Sequence, residues 1–489
     1  MSSYMPRWCT CALILINISF YFFPVLTIAQ TEASSKSQTI LQEADLDACL
    51  KEALKNNRRR PASRYAVEMA EARHRQALAG YWPQISAKGG YLRMDESPNF
   101  LFPSSTMSLP MGGSLPITIP GVGTVPVSSI DVPAQDVKLM DEDNYWASLN
   151  ATWLLYDGGM RKGYREQSGA LVEMMKQECR RTDLEVIDSV KRLYYGAVLA
   201  RQLHQVGKDT LARMGATLNL TETMYKKGSG AVKKTDWLDN KVMVESLRAM
   251  VALLEKNELM AQAALANTMG LPWNTSVVPV DRKMPFTSFM DQLDRLVGTA
   301  YQFNPDWSKI EAGLRAAQGA VRTAKSGHYP KLAVTGQLHR WWNDYDGGLA
   351  TESNKKGWTV GLGLELPLFS GLLTHNKIAE ARAQVAKLKE ERFLLKEGIG
   401  LQIKDTVLSL GAAEKSHQAT LEAMQAAGEN RDLNVRAYQH ELVETEKVIR
   451  AQLIEALMSA QHYKARYDHI ALRSQLSLVV GREVLKKIQ

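Results

Sequence analysis

The sequence predicts a mainly α-helical chain with a small β part, laid out as an internal two-fold repeat of helix, β-hairpin and long antiparallel helix pair. Three observations carry this reading. No proline falls within 134–271 or after Pro367, so two stretches of more than 120 residues lack the residue that breaks helices. Gly80-Tyr81-Trp82-Pro83 recurs as Gly327-His328-Tyr329-Pro330 at an offset of 247, and Tyr156-Asp157-Gly158 recurs as Phe369-Ser370-Gly371 at an offset of 213. Between these landmarks the apolar period changes from helical to two, as in a strand with one apolar face.

Composition narrows the class. Of 489 residues, 45% are apolar and 23% charged, which excludes a wholly disordered chain. The balance of +8, from 60 Lys+Arg against 52 Asp+Glu, is spread thinly, so no nucleic-acid arm is indicated. Arg58-Arg59-Arg60 reads as a solvated helix face.

Residues 1–29 read as an export signal. Arg7 precedes an apolar run from Ala12, and Thr27-Ile28-Ala29 offers a small-residue cleavage site. An uncleaved anchor is the alternative, disfavoured by Pro24 and by that site. Cys9 and Cys11 leave with the signal; Cys49 and Cys179 are too scattered for a disulfide scaffold or zinc site and suit helical packing.

The first repeat spans 46–272. Leu46, Leu50, Ala53 and Leu54 have helical spacing, and one helix is expected to run to the residue before Pro83. Strands and a long outer loop follow over 84–156. Tyr145, Ala147, Leu149, Ala151, Trp153 and Leu155 alternate with Trp146, Ser148, Asn150 and Thr152, and 84–94 is the weaker partner strand. Seven prolines from Pro98 to Pro133 mark the intervening 95–142 as an elongated loop. Asp157 is a suitable N-cap for a helix from 158 to about 224, roughly 100 Å long at 1.5 Å per residue. Gly228-Ser229-Gly230 breaks it, and a return helix ends at Met269-Gly270.

Residues 273–287 read as a linker, and the second repeat occupies 288–489. Its helix carries Leu293, Leu296, Val297 and Ala300. Its strands lie in 331–369, where Trp358, Val360, Leu362, Leu364, Leu366 and Leu368 alternate sharply with Thr359, Gly361, Gly363 and Glu365. Ser370 is the corresponding N-cap candidate, and the far turn falls near His440 to Glu444.

Four amphipathic strands in an exported chain pose a closure problem. A membrane barrel needs every strand edge paired, and about eight strands is the usual minimum, so several chains must contribute. Strands of about 10–12 residues match a tilted span. Trp153, Tyr156 and Tyr329 gather at one strand end, and Tyr91, Tyr145 and Trp358 at the other, as interfacial girdles do. Membrane lipid is the implied surroundings of the apolar face. The alternative is a small soluble sheet capping a helical bundle.

With Leu154-Leu155-Tyr156-Asp157-Gly158-Gly159 and Leu366-Pro367-Leu368-Phe369-Ser370-Gly371 opening the long helices, the doubled plan over about 45–485 resembles the TolC-type outer-membrane efflux proteins. Tyr225-Lys226-Lys227-Gly228, Tyr438 and Val448-Ile449-Arg450-Ala451-Gln452 add to the likeness. The resemblance implies a homotrimer in which four strands from each chain make a 12-stranded β-barrel in outer-membrane lipid, continued by an α-helical barrel through the periplasm. It implies a periplasmic adaptor (membrane fusion) protein and an inner-membrane pump at the far end, with the turns at Gly228, Ser229, Glu441 and Leu442 as the docking tip.

The resemblance also assigns a periplasmic gate. Asp236 and Tyr438 match one gate bond, although a helix N-terminal Asp and a packed Tyr explain them equally. Val443 stands where the family's basic gate partner would be. Lys447 and Arg450 occupy the positions of an acidic constriction ring, so this chain would line its narrowest part with positive charge unless Glu441, Glu444 and Glu446 neutralise it.

No constellation supports an enzyme, a cofactor or a metal. The nine histidines form no HExxH or similar pair. Gly228-Ser229-Gly230-Ala231-Val232-Lys233-Lys234-Thr235 lacks the glycine a phosphate loop needs before its lysine. The expected function is an outer-membrane channel-tunnel of a tripartite efflux or secretion system. The alternatives are a passive porin-like channel, which would be mostly strand, and a structural envelope coiled coil, for which the strands would have no purpose.

Overall fold

The computed structural model describes residues 40–108, 114–127, 129–230, 232–289, 291–342 and 355–482. The expected signal, 1–29, lies outside the described residues.

The elements fall into two matching series. The first is β1 (Ile40–Ala44), α1 (Leu46–Asn56), α2 (Arg59–Ala79), β2 (Gln84–Arg93), the short strands β3 (Asn99–Phe102), β4 (Ser105–Ser108), β5 (Leu115–Ile119), β6 (Gly123–Val127), β7 (Ser129–Val132) and β8 (Gln135–Lys138), then β9 (Asp143–Tyr156), α3 (Met160–Lys226) and α4 (Lys234–Thr268). The second is β10 (Thr275–Pro279), α5 (Leu293–Phe303), α6 (Pro305–Lys325), β11 (Lys331–Trp342), β12 (Lys356–Glu365), α7 (Leu373–Gln439) and α8 (Thr445–Val480). Counterparts agree in length: α1 and α5 have 11 residues each, α2 and α6 21, and α3 and α7 67.

The helix expected to run unbroken to Pro83 is two helices, and its counterpart is broken at the same place. Asn57 and Asn304 leave the helix with ψ of 122° and 125°. Each spends its side chain at the break. Asn57 Nδ2 donates to the Thr268 carbonyl at 2.7 Å, and Asn304 Nδ2 to the Val479 carbonyl at 2.7 Å. Each Oδ1 accepts from an amide of the next helix, as an N-cap does. The break therefore ties each helix pair to the end of its own return helix. There Gly270 and Gly481, at φ of 80° and 81°, lie against the carbonyls of Asn56 and Phe303.

Two equivalent cores follow from this. Cys49, Ala53, Val186, Val190, Tyr194, Leu265 and Met269 fill the first. Leu296, Ala300, Ile399, Ile403, Leu410, Leu476 and Val480 fill the second. Burial pushes the Cys49 thiol up to about 11, with Asp45 adding, so it is an inert packing residue.

The main sheet has the order β12-β11-β9-β2, antiparallel throughout. Register puts whole rows on one face. Ala87, Leu149, Leu338 and Trp358 form one row, Ile85, Ala151, Gly336 and Val360 the next, with Trp153, Val334 and Leu362 beyond. Between them run Lys88, Ser148, His339 and Gly357, then Ser86, Asn150, Gln337 and Thr359. One face is apolar and the other polar or small, because the side-chain period is two. Trp358 and Leu362 are 72% and 68% exposed on the apolar face, and so broad an apolar surface marks a membrane or partner contact. Among the described residues, neither outer edge, β2 nor β12, has a partner strand.

Residues 95–142 are not a plain loop. β3 pairs with β8, β4 with β7 and β5 with β6, giving an interrupted antiparallel ribbon on top of β2 and β9. Several prolines fall at the interruptions, while Pro116 and Pro126 face one another inside the last pair, where a two-stranded ribbon has free edges that tolerate a missing N–H.

The inter-repeat segment is likewise structured. β10 pairs in parallel with β1. Beyond it the chain is fastened as a belt: Arg201 donates to the Pro279 carbonyl at 2.8 Å, Gln202 to the Arg282 carbonyl at 2.9 Å, and Arg473 to the Thr287 carbonyl at 2.7 Å. Among the described residues, no helix is long and apolar enough to cross a membrane.

Candidate functional site: the helical tip

At the end remote from the sheet, the turns of both helix pairs meet. α3 stops where Gly228 takes φ of 75°, and α7 stops where Glu441 takes φ of 58°, a left-handed conformation rare outside glycine. Ser229 Oγ donates to Glu441 Oε2 at 3.3 Å. Leu442 is 75% exposed beside them. The four residues expected at the docking tip thus share one end, and two of them bond each other across the repeats.

Beneath the turns lies a small core. Met224, Val232, Tyr438 and Val448 are buried, with Leu220, Tyr225, Val435 and Val443 packed around them. Val443 is thus part of the packing. Tyr225 stacks on Trp237 at 5.8 Å.

The two expected gate residues are not bonded to each other within the chain. Asp236 is occupied at the start of α4, where its Oδ2 accepts from Lys233 N at 3.0 Å. This satisfies an amide the helix itself cannot. The Tyr438 hydroxyl is buried and bonds Thr221 Oγ1 at 2.7 Å and Thr445 Oγ1 at 3.0 Å. Lys447 and Arg450 are exposed one turn apart on α8, on the side away from buried Val448, Ile449, Ala451 and Gln452. Among the described residues neither is ion-paired.

Sequence reasoning missed a polar seam that continues from Tyr438 toward the sheet. Asn240 donates to Thr221 Oγ1 at 3.3 Å, and Gln452 to Thr217 Oγ1 at 3.0 Å. One level further, Glu455 accepts from Arg213 at 2.7 Å and lies 3.3 Å from Arg431. Its side chain is only 14% exposed. The seam stitches α3 and α4 to α7 and α8 with bonds that require defined partners, alongside the less directional packing of Met214, Val244 and Ile449. The signal available in the sequence was Thr210, Thr217 and Thr221, spaced seven and four apart within an otherwise apolar stripe.

Among the described residues, no group of three or more His, Cys, Asp or Glu side chains could hold a metal. What the geometry provides is a membrane-compatible sheet joined directly to long helices that end in a polar, hydrogen-bonded tip.

Known proteins share this design. The sequence model of the outer membrane efflux protein family matches residues 49–271 and 296–482. Protein CyaE of Bordetella pertussis is 24% identical over 359 residues, covering 73% of this chain and 70% of that protein. The pyoverdine export outer membrane protein OpmQ of Pseudomonas aeruginosa is 24% identical over 276 residues, covering 56% of this chain and 55% of its own length. The crystal structure of the outer membrane protein VceC of Vibrio cholerae superposes with a TM-score of 0.68 at 16% identity, covering 89% of this chain and 96% of that one. With both repeats matched by the family model, the chain belongs to the outer membrane efflux protein family and is an outer-membrane protein.

Proposed function

We propose that three copies of this chain form a conduit that carries substrates out of the cell from a periplasmic adaptor and an inner-membrane pump. The carrying observation is the open four-stranded sheet, apolar on one face, with both edges free. Pairing β12 of one copy with β2 of the next leaves no edge when three sheets of four close into a ring of twelve strands. The apolar rows then face lipid and the polar rows line the lumen, as a membrane barrel requires. The long helices continue the wall, each spanning roughly 100 Å at 1.5 Å per residue. Residues 1–29 act as the export signal.

In this reading the tip is the regulated end. Tyr438 and the seam below it hold it shut, Asp236 sets the start of α4, Lys447 and Arg450 line the constriction, and the turns at Gly228, Ser229, Glu441 and Leu442 meet the adaptor. Export of an excreted molecule fits the relative OpmQ, a pyoverdine export outer membrane protein.

Cysteines placed at Ile85 on β2 and Val360 on β12 test the assembly. Oxidation should yield covalently closed trimers in detergent, with light scattering giving three chains per particle. A mass of one or two chains would overturn the proposal.

A further inference from the structure

The belt between the repeats closes over three imidazoles, two of which stack on each other. Phe286 lies on His417 of α7, with centroids 3.9 Å apart and planes at 26°, and is tilted against His469 of α8 at 4.7 Å. His417 stacks in turn on His462 of α8 at 4.9 Å. His462 and His469 are 3% and 0% exposed. Nδ1 of all three rings lacks a hydrogen-bond partner.

Cations surround the rings. Arg466 donates to the Met284 carbonyl and Arg473 to that of Thr287, so both guanidinium groups fasten the belt beside the histidines. The facing carboxylate is Glu414 on α7. It already accepts from Ser288 Oγ at 3.0 Å and Phe289 N at 2.5 Å, and lies 3.7 Å from His469 Nε2. Tyr463 neighbours Arg466, and Asp188 and Arg192 of α3 act on Tyr467 of α8. The belt itself brings Asp281, which accepts from Tyr194, and the exposed Arg282 and Lys283.

We propose that residues 284–289 form an acid-released clasp, held on α7 and α8 while His417, His462 and His469 are neutral and expelled when they gain protons. Stacked rings tolerate one another only when uncharged, because protonation places like charges side by side and next to two guanidinium groups in a water-poor site. Phe286 can favour one cation through its ring face, but it cannot compensate three. Burial holds all three imidazoles below their ordinary range, with Arg466 adding at His417, His417 and Arg466 adding at His462, and Arg473 adding at His469 against the opposing pull of Glu414.

The direction follows from linkage. Rings freed to water take up protons near pH 6.5, whereas clasped rings resist until lower pH. The clasp is therefore fully held above about pH 6.5 and weakens as pH falls through the lowered values. Each histidine contributes up to about 10-fold per pH unit to the opening equilibrium, and three together up to about 1,000-fold. This inference does not depend on the proposed transport role.

A spin label on Pro285→Cys, with Cys179→Ser in the same full-length chain in detergent, reads the belt directly. The label should be immobile at pH 7.5 and become reversibly mobile between pH 6.5 and 5, by at least tenfold in the mobile-to-immobile ratio, with helical circular dichroism unchanged. The combined His417→Gln, His462→Gln and His469→Gln variant should stay immobile throughout. Should that variant misfold, His417→Gln alone should reduce the steepness of the transition. A wild-type label immobile at both ends of the range, or helix loss accompanying its release, would overturn the clasp. So would an unchanged transition in either glutamine variant.

Discussion

The Tyr438 hydroxyl lies 2.7 Å from Oγ1 of Thr221, bonding residues 217 positions apart in the chain. Through Thr445 it also reaches α8, so one side chain fastens three helices within the small apolar core beneath the turns. The hydroxyl is buried, and the bond is thus worth more than a surface contact would be.

Tyr438→Phe keeps the ring in the tip core but removes both bonds. Stability should fall by about 1 kcal/mol, with up to about 3 if the Thr445 hydroxyl is left unsatisfied; Thr221 keeps its bonds to the Thr217 carbonyl and Asn240. Single-channel recordings in planar bilayers should show more frequent openings. A variant with unaltered gating would remove Tyr438 from the closing machinery.

Gly270→Ala and Gly481→Ala should each destabilise the fold, and by similar amounts. Both positions have positive φ, and an added Cβ would collide with the backbone of Asn56 or Phe303. Roughly 1–3 kcal/mol is expected for strain of this kind. Thermal melting checks it. By contrast Gly215→Ala, with open space around the new methyl and helical backbone, should stabilise slightly.

Lys447→Asp with Arg450→Asp should move ion selectivity from anions toward cations. Like charges about 6 Å apart repel by only about 0.7 kcal/mol in water, and by more where water is confined. Reversal potentials under a salt gradient measure the change. Strong cation selectivity in the wild type, unaltered by the double change, would place these residues away from the constriction.

The ribbon at 95–142 should be the first site cut when intact cells are treated with protease, since it extends from the sheet end opposite the helical tip. Cleavage near 228 or 441 instead would invert the orientation.

Much of this was legible because it is periodic. Alternation fixed the sheet faces, and the absence of proline fixed the long helices. The breaks at Asn57 and Asn304 were hidden for a different reason: each is stabilised by a carbonyl more than 170 positions away. β1 and β10 were missed likewise, as Ile40 pairs with Thr275. The proline-rich ribbon looked like a loop because strand propensity counts proline as a breaker, yet an edge without a partner loses little from a missing donor. At the tip, the resemblance drew attention to Asp236 and Tyr438. Their actual partners, Lys233, Thr221 and Thr445, depend on how four helices happen to abut.

The identical 67-residue lengths of α3 and α7 make each long helix a ruler for the other. One added residue in either would raise its turn by about 1.5 Å and swing it by about 100°, pulling Ser229 out of line with Glu441 and tilting the rim. Insertions and deletions in these rods should therefore survive only as matched pairs of whole heptads, which keep both the level and the face. The ribbon, which has no rod of matching length beside it, is by contrast free to change length.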